Sequence, residues 1–131
     1  EIAAIVRTLL IIVDLVSQLQ QRFGLAAPVR IGAGLNSGPA SVGNVGSIAA
    51  SDYTAVGDVV NKAFRLESAT KEVHCDLLMG EETRNLLAGQ PDLLRVLNEF
   101  SLRLKGYDQA TTAWGTDFGK LPPQPPITAA E

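Results

Sequence analysis

The run Asp52 to Ser68, DYTAVGDVVNKAFRLES, constrains the fold most, because its hydrophobic period changes part-way along it. Tyr53 to Val56 is a short β-like run. After Gly57 and Asp58 the apolar residues Val60, Ala63 and Phe64 recur at helical spacing. Asp58 is a good N-cap for a helix from Val59 to about Thr70, and capping accounts for an aspartate there without a metal.

The segments before this run fit the same mixed pattern. Val29 to Leu35 reads as a strand in which Gly32 and Gly34 alternate with Ile31, Ala33 and Leu35, as expected where another backbone or a ligand passes close to a sheet. Asn36 to Pro39 is a turn by composition. Ala40 to Val45 and Tyr53 to Val56 then form two antiparallel strands, with Gly46 to Asp52 as a flexible hairpin tip. Tight turns and close strand packing account for Gly32, Gly34, Gly43 and Gly46 without a phosphate.

Beyond the helix, Val73 to Met79 is the next strand, placing His74 and Cys75 on opposite faces, where packing suits them better than a shared ligand. Gly80 to Leu87 is a short helix with Glu81 and Glu82 in its first turn, where the helix dipole favours acidic groups. Leu93 to Leu104 and Thr111 to Trp114 supply the last strands, around a turn at Gly106 to Gln109. Leu121 to Pro126 has four prolines in six residues and reads as an extended linker. The fold class is therefore α+β: one mixed, largely antiparallel sheet with helices packed against it.

Ile2 to Leu19 is apolar enough to suggest a membrane span, but Arg7 and Asp14 interrupt it well short of the roughly 18 apolar residues a span requires. Arg7, Asp14, Gln18 and Gln21 fall on one stripe of a half-buried helix, so no membrane contact is expected of this chain. No Met and no capping residue precede that helix, as if the chain began in mid-domain. Lys and Arg are scattered and the net charge is −3, which disfavours nucleic acid as a partner. The single cysteine excludes an internal disulfide and fits a cytoplasmic, reducing compartment.

Gly34 to Ser47, GLNSGPASVGNVGS, and Asp52 to Ser68 together resemble the signature of class III adenylyl and guanylyl cyclases: a Gly-rich strand and turn, a YTxxGDxVN corner and a helix reading NxAxRLE. LKGY at Leu104 to Tyr107 falls where that family carries a Lys-Gly turn. The resemblance implies a ferredoxin-like cyclase fold, incomplete at the N-terminus, with residues 1–118 as the C-terminal part of the catalytic domain and 119–131 as a proline-rich tail.

The residues themselves have suitable chemistry. Asn61 and Arg65 lie four apart on the expected helix and share a face. Asn can hydrogen-bond a sugar oxygen, and Arg offers a forked cation for phosphate oxygens. The resemblance implies that Asn61 orients the ribose and Arg65 stabilises the transition state; the alternative for Arg65 is a surface pair with Glu67. It also places Thr54 at the purine-selecting position, where Asp or Thr goes with ATP and Cys or a related small residue with GTP. Thr54 is otherwise simply a good strand residue. Lys105 matches the lysine that reaches the triphosphate, against the alternative of a solvated loop lysine.

By that resemblance the chain belongs to an adenylyl cyclase converting ATP to cyclic AMP and pyrophosphate, assisted by two Mg²⁺ or Mn²⁺ ions whose aspartate ligands lie in the N-terminal half. A homodimer partner or a second cyclase domain would complete the site, and a membrane anchor could lie upstream. The alternatives are a non-catalytic, cyclase-like nucleotide-binding module and a guanylyl cyclase.

Overall fold

A computed structural model describes residues 2–124. A four-stranded sheet is built from β1 (Ala33–Leu35), β4 (Leu77–Gly80), β5 (Asn98–Leu102) and β6 (Thr111–Thr116), in the order β1-β4-β6-β5. Only β1 and β4 run parallel; β4 with β6 and β6 with β5 are antiparallel. A separate antiparallel ribbon is formed by β2 (Ser41–Ser47) and β3 (Ala50–Val56). The expected α+β class, with a largely antiparallel sheet, is what forms.

The sheet is covered on both faces, and the period of two along β4 decides which side chain goes where. Leu78 points toward helix α2 (Asp58–Val73), joining Leu66, Ala69, Cys75, Leu102, Leu104 and Ala113 in one core. Leu77 and Met79 point the other way, into a core with Ile2 and Val6 of α1 (Ile2–Arg22), Leu87 after α3 (Glu81–Asn85), Leu93 of α4 (Pro91–Arg95), Phe118 and Leu121. All four residues of β4 are buried, as a central strand requires.

Helix α2 lies directly on β1. A Cβ added to Gly34 would collide with the Ala63 carbonyl and the Glu67 amide of that helix, and one added to Gly32 would meet the Thr70 hydroxyl. The alternating glycines therefore answer to a passing backbone, one of the two reasons expected from their spacing.

Several expected boundaries move. The hairpin tip is two residues, Ile48 and Ala49, rather than Gly46 to Asp52, because both strands continue through the polar small residues. Of Val29 to Leu35 only Ala33–Leu35 pairs. Val73 ends α2 instead of opening β4, and His74 caps the helix in the left-handed conformation with φ 54°. His74 and Cys75 thus lie in a helix-to-strand connection and not on opposite faces of a strand; both line one groove of about 290 Å³. Leu93 to Arg95 form a helical turn opened by Pro91, a favoured first helical residue, so the strand expected from Leu93 begins at Asn98. Leu121, expected in the linker, is buried in the core; residues 125–131 lie outside the described part of the chain.

Helix α1 packs through Ile2 and Val6, with Leu9, Leu10 and Val13 partly buried, while Ile5, Ile11, Ile12, Leu15 and Leu19 on its other sides are exposed. The expected polar stripe survives as one contact, Gln18 Nε2 donating to Asp14 at 2.7 Å. By length and composition alone this helix is apolar enough to cross a membrane, and 6% of its most apolar window is buried.

Because helix backbone and strand backbone touch at Gly34, Gly34→Ala should destabilise the protein by about 2 kcal/mol, as overpacking does. Gly43→Ala, where an added Cβ meets nothing within 4 Å, should cost well under half of that. Denaturant unfolding of the two variants makes the comparison, and equal stability would contradict the packing.

Candidate functional site

The corner between β3 and α2 is set by Gly57, whose φ of 147° is one that side-chain-bearing residues rarely adopt. Its carbonyl accepts from the amides of Val60 and Asn61, both at 3.1 Å, and so starts the helix. Asp58 was expected to be the N-cap. Gly57 occupies that position instead, and Asp58 is the first helical residue, with no capping hydrogen bond from its side chain. The Asp58 carboxylate accepts from the Tyr107 hydroxyl at 2.9 Å. A residue inside the first turn still benefits from the helix dipole, which explains an acid there equally well.

The turn after β1 braces the corner from below. Asn36 Nδ2 donates to the Val59 carbonyl at 3.0 Å, and the hydroxyls of Ser37 and Thr83 are 2.9 Å apart, tying the turn to α2 and α3. Composition marked Asn36 and Ser37 only as turn formers; their side-chain partners lie more than 20 residues away, beyond what a local pattern encodes.

Asn61 and Arg65 are both exposed on α2, one helical turn apart. Among the described residues Arg65 makes no ion pair, so the surface pair with Glu67 does not form. Lys105 is exposed in the turn between β5 and β6, where Gly106 takes a φ of 89°. Tyr107 links this turn to α2. Its phenol is pushed above its ordinary pKa, first by desolvation and then by the Asp58 carboxylate, while the Arg65 charge pulls the other way. Asn61 and Arg65 thus lie on the helix to whose first residue the Lys105 turn is tied through Tyr107. Tyr107 was read only as part of a turn motif, and a phenol paired with an aspartate 49 positions away leaves no signal in local sequence.

Thr54 stands apart on the hairpin. It is exposed and lies opposite Gly43, which has no side chain to cover it. It joins the others only through the short chain from Ala55 to Gly57. A cleft of about 580 Å³ opens beside the group, lined by Lys62, Glu81, Glu82, Tyr107 and Asp108 among others; none of the four expected residues lines it. All four are exposed. Among the described residues no group of three or more His, Cys, Asp and Glu side chains is placed to hold a metal; the expected ion ligands were assigned outside this chain.

Sequence comparison finds similarity to an adenylate cyclase of Anabaena cylindrica, 34% identical over 87 residues, covering 66% of this chain and 17% of that protein. The fold is similar to the crystal structure of the adenylyl cyclase CyaB from P. aeruginosa, with a TM-score of 0.60 and 28% identity over 78% of this chain and 50% of that one. It is also similar to the crystal structure of a guanylyl cyclase, with a TM-score of 0.67 and 24% identity over 86% of this chain and 56% of the other. No family model matches. The chain spans about half the length of these two structures and less than a fifth of the curated relative.

In sequence and fold together the chain is similar to nucleotide cyclases, and its fold is that of their catalytic domain.

The Gly57 corner should be sensitive to any side chain. Gly57→Ala, forced to hold a positive φ, should lower stability by about 1–2 kcal/mol. Gly119→Ala, whose Cβ meets nothing within 4 Å, should leave it nearly unchanged. Thermal unfolding checks this, and equal melting temperatures would contradict it.

Proposed function

We propose that this chain supplies one wall of an adenylyl cyclase active site, the wall that contacts base, ribose and phosphate. The observation that carries this reading is the exposed pair Asn61 and Arg65, one turn apart on α2, with no ion pair to the guanidinium among the described residues, on the helix to whose first residue Tyr107 ties the Lys105 turn. An exposed guanidinium suits a polyanion that approaches from outside the fold.

In this reading the ribose 3′-oxygen attacks the α-phosphorus of ATP, the bond to the pyrophosphate oxygen breaks, and the 3′-hydroxyl proton is lost. Asn61 orients the ribose. Arg65 meets the charge that grows on the α-phosphate oxygens, and Lys105 holds the triphosphate. Thr54 reads the purine, its hydroxyl able both to donate and to accept, which suits adenine. Divalent ions, when bound, supply charge neutralisation at the leaving group; their ligands are assigned to residues other than those described, and no step above depends on them.

The opposite wall is assigned to a second cyclase domain, a homodimer partner being the simplest. The hairpin supports this, because Val42 and Tyr53 on one of its faces, Val45 on the other and Ile48 at its tip are all exposed, apolar residues that a partner would cover. A free, buried thiol at Cys75 is in keeping with a cytoplasmic setting.

The test is steady-state turnover by the intact catalytic domain with ATP and, separately, GTP. ATP should be preferred. Arg65→Ala should lower kcat by roughly a hundredfold while KM changes by no more than a few-fold, because its contact strengthens in the transition state. Preference for GTP would refute the purine reading; a rise in KM with unchanged kcat would refute the role of Arg65.

A further inference from the structure

The proposed phosphate contacts come from two elements that are far apart in sequence. Arg65 rides on a rigid helix, but Lys105 sits on a turn whose own backbone does little to fix it. Leu104 anchors one side in the core, and Tyr107 closes the turn by donating its amide to the Leu104 carbonyl at 3.1 Å. Between them Lys105 and Gly106 are exposed, and Gly106 adopts a φ available chiefly to glycine. The side-chain hydrogen bond that ties this turn to α2 is the one from the Tyr107 hydroxyl to Asp58 Oδ1, at 2.9 Å. The Tyr107 ring is partly buried against the core beneath α2, so the hydroxyl is aimed by packing as well as by its acceptor.

We infer that Tyr107 and Asp58 form a latch that fixes the Lys105 turn relative to Asn61 and Arg65, making both of them positioning residues for the cyclase reaction. This rests on the function proposed above. The physical need is clear. A lysine has a long, freely rotating stem, and its reach to a phosphate is set by where its backbone stands; a loose turn spreads the ammonium over positions that do not face the substrate. A phenol donating to a carboxylate is a charge-assisted bond, stronger than one between neutral groups. It also joins the turn to the first residue of the helix that bears the other two side chains. The 580 Å³ cleft lies directly beside the latch and has Tyr107 in its wall, so water reaches the bond and its strength is moderate rather than large.

The experiment is steady-state kinetics on the intact catalytic domain, with variants chosen to separate positioning from folding. Tyr107→Phe removes only the hydroxyl, and Asp58→Ala removes the acceptor. Each should lower kcat/KM for ATP roughly five- to tenfold, the size expected from one hydrogen bond of this kind. The double variant should be no worse than either single one. Asp58→Asn keeps an oxygen acceptor and should stay within about twofold of the parent. The decisive comparison is made in a Lys105→Ala background, where Tyr107→Phe should have no further effect because the latch acts through Lys105. A purely structural bond would lower activity in both backgrounds and would lower the melting temperature with it. An active parent whose Tyr107→Phe variant keeps full kcat/KM, or whose loss adds fully to that of Lys105→Ala, overturns the latch alone. A parent inactive with both ATP and GTP overturns the functional reading, and the latch with it.

Discussion

The contact on which the rest of the structure depends is the one between two backbones, α2 and β1, across Gly34. No side chain fits between the strand and the Ala63 carbonyl or Glu67 amide of the helix. That approach brings Leu66 and Ala69 down onto Leu78 and seals one face of the sheet. The parallel pairing of β1 with β4 then carries the chain to the sheet's other face, where Leu77 and Met79 meet α1 and the residues around α3 and α4. Only the α2 layer is positioned by strand backbone without side chains; the other layer packs through Leu77 and Met79.

The same approach sets the functional surface. Since the inner side of α2 is committed to the sheet, Asn61 and Arg65 are left on the solvent side. The start of the helix is fixed by Gly57, and from below by Asn36 on Val59. The site is thus an exposed helix face with a hairpin at one end and a tethered turn near its first residue. On the function proposed above, such an open surface suits chemistry completed by a second domain.

Much of this was legible in the sequence where a residue type has one dominant physical use. The helix after Gly57, the acidic first turn of α3 and the alternating Gly32 and Gly34 were all readable from local chemistry. The boundaries that moved are those where two readings compete. Val73 is a good strand residue and Leu93 opens an apolar run, yet packing holds both in helices, and Gly46 to Asp52, expected as a hairpin tip, pairs except at the two-residue turn Ile48–Ala49. Asp58 was misread because a cap and a first-turn acid have the same composition, and only the position of its partner Tyr107 distinguishes them. The spacing of Asn61 and Arg65 was fully local. The tie between Tyr107 and Asp58 was not, since it spans 49 residues and two elements.

The central claim is that these residues bear the nucleotide-contacting wall and depend on another for metal. The most direct test is to incubate this chain alone, shown by circular dichroism to be folded, with ATP and Mn²⁺ and to compare it with the intact catalytic domain under the same conditions. The account predicts no cyclic AMP from the chain alone and steady production by the intact domain. Sustained turnover by the isolated chain would contradict it.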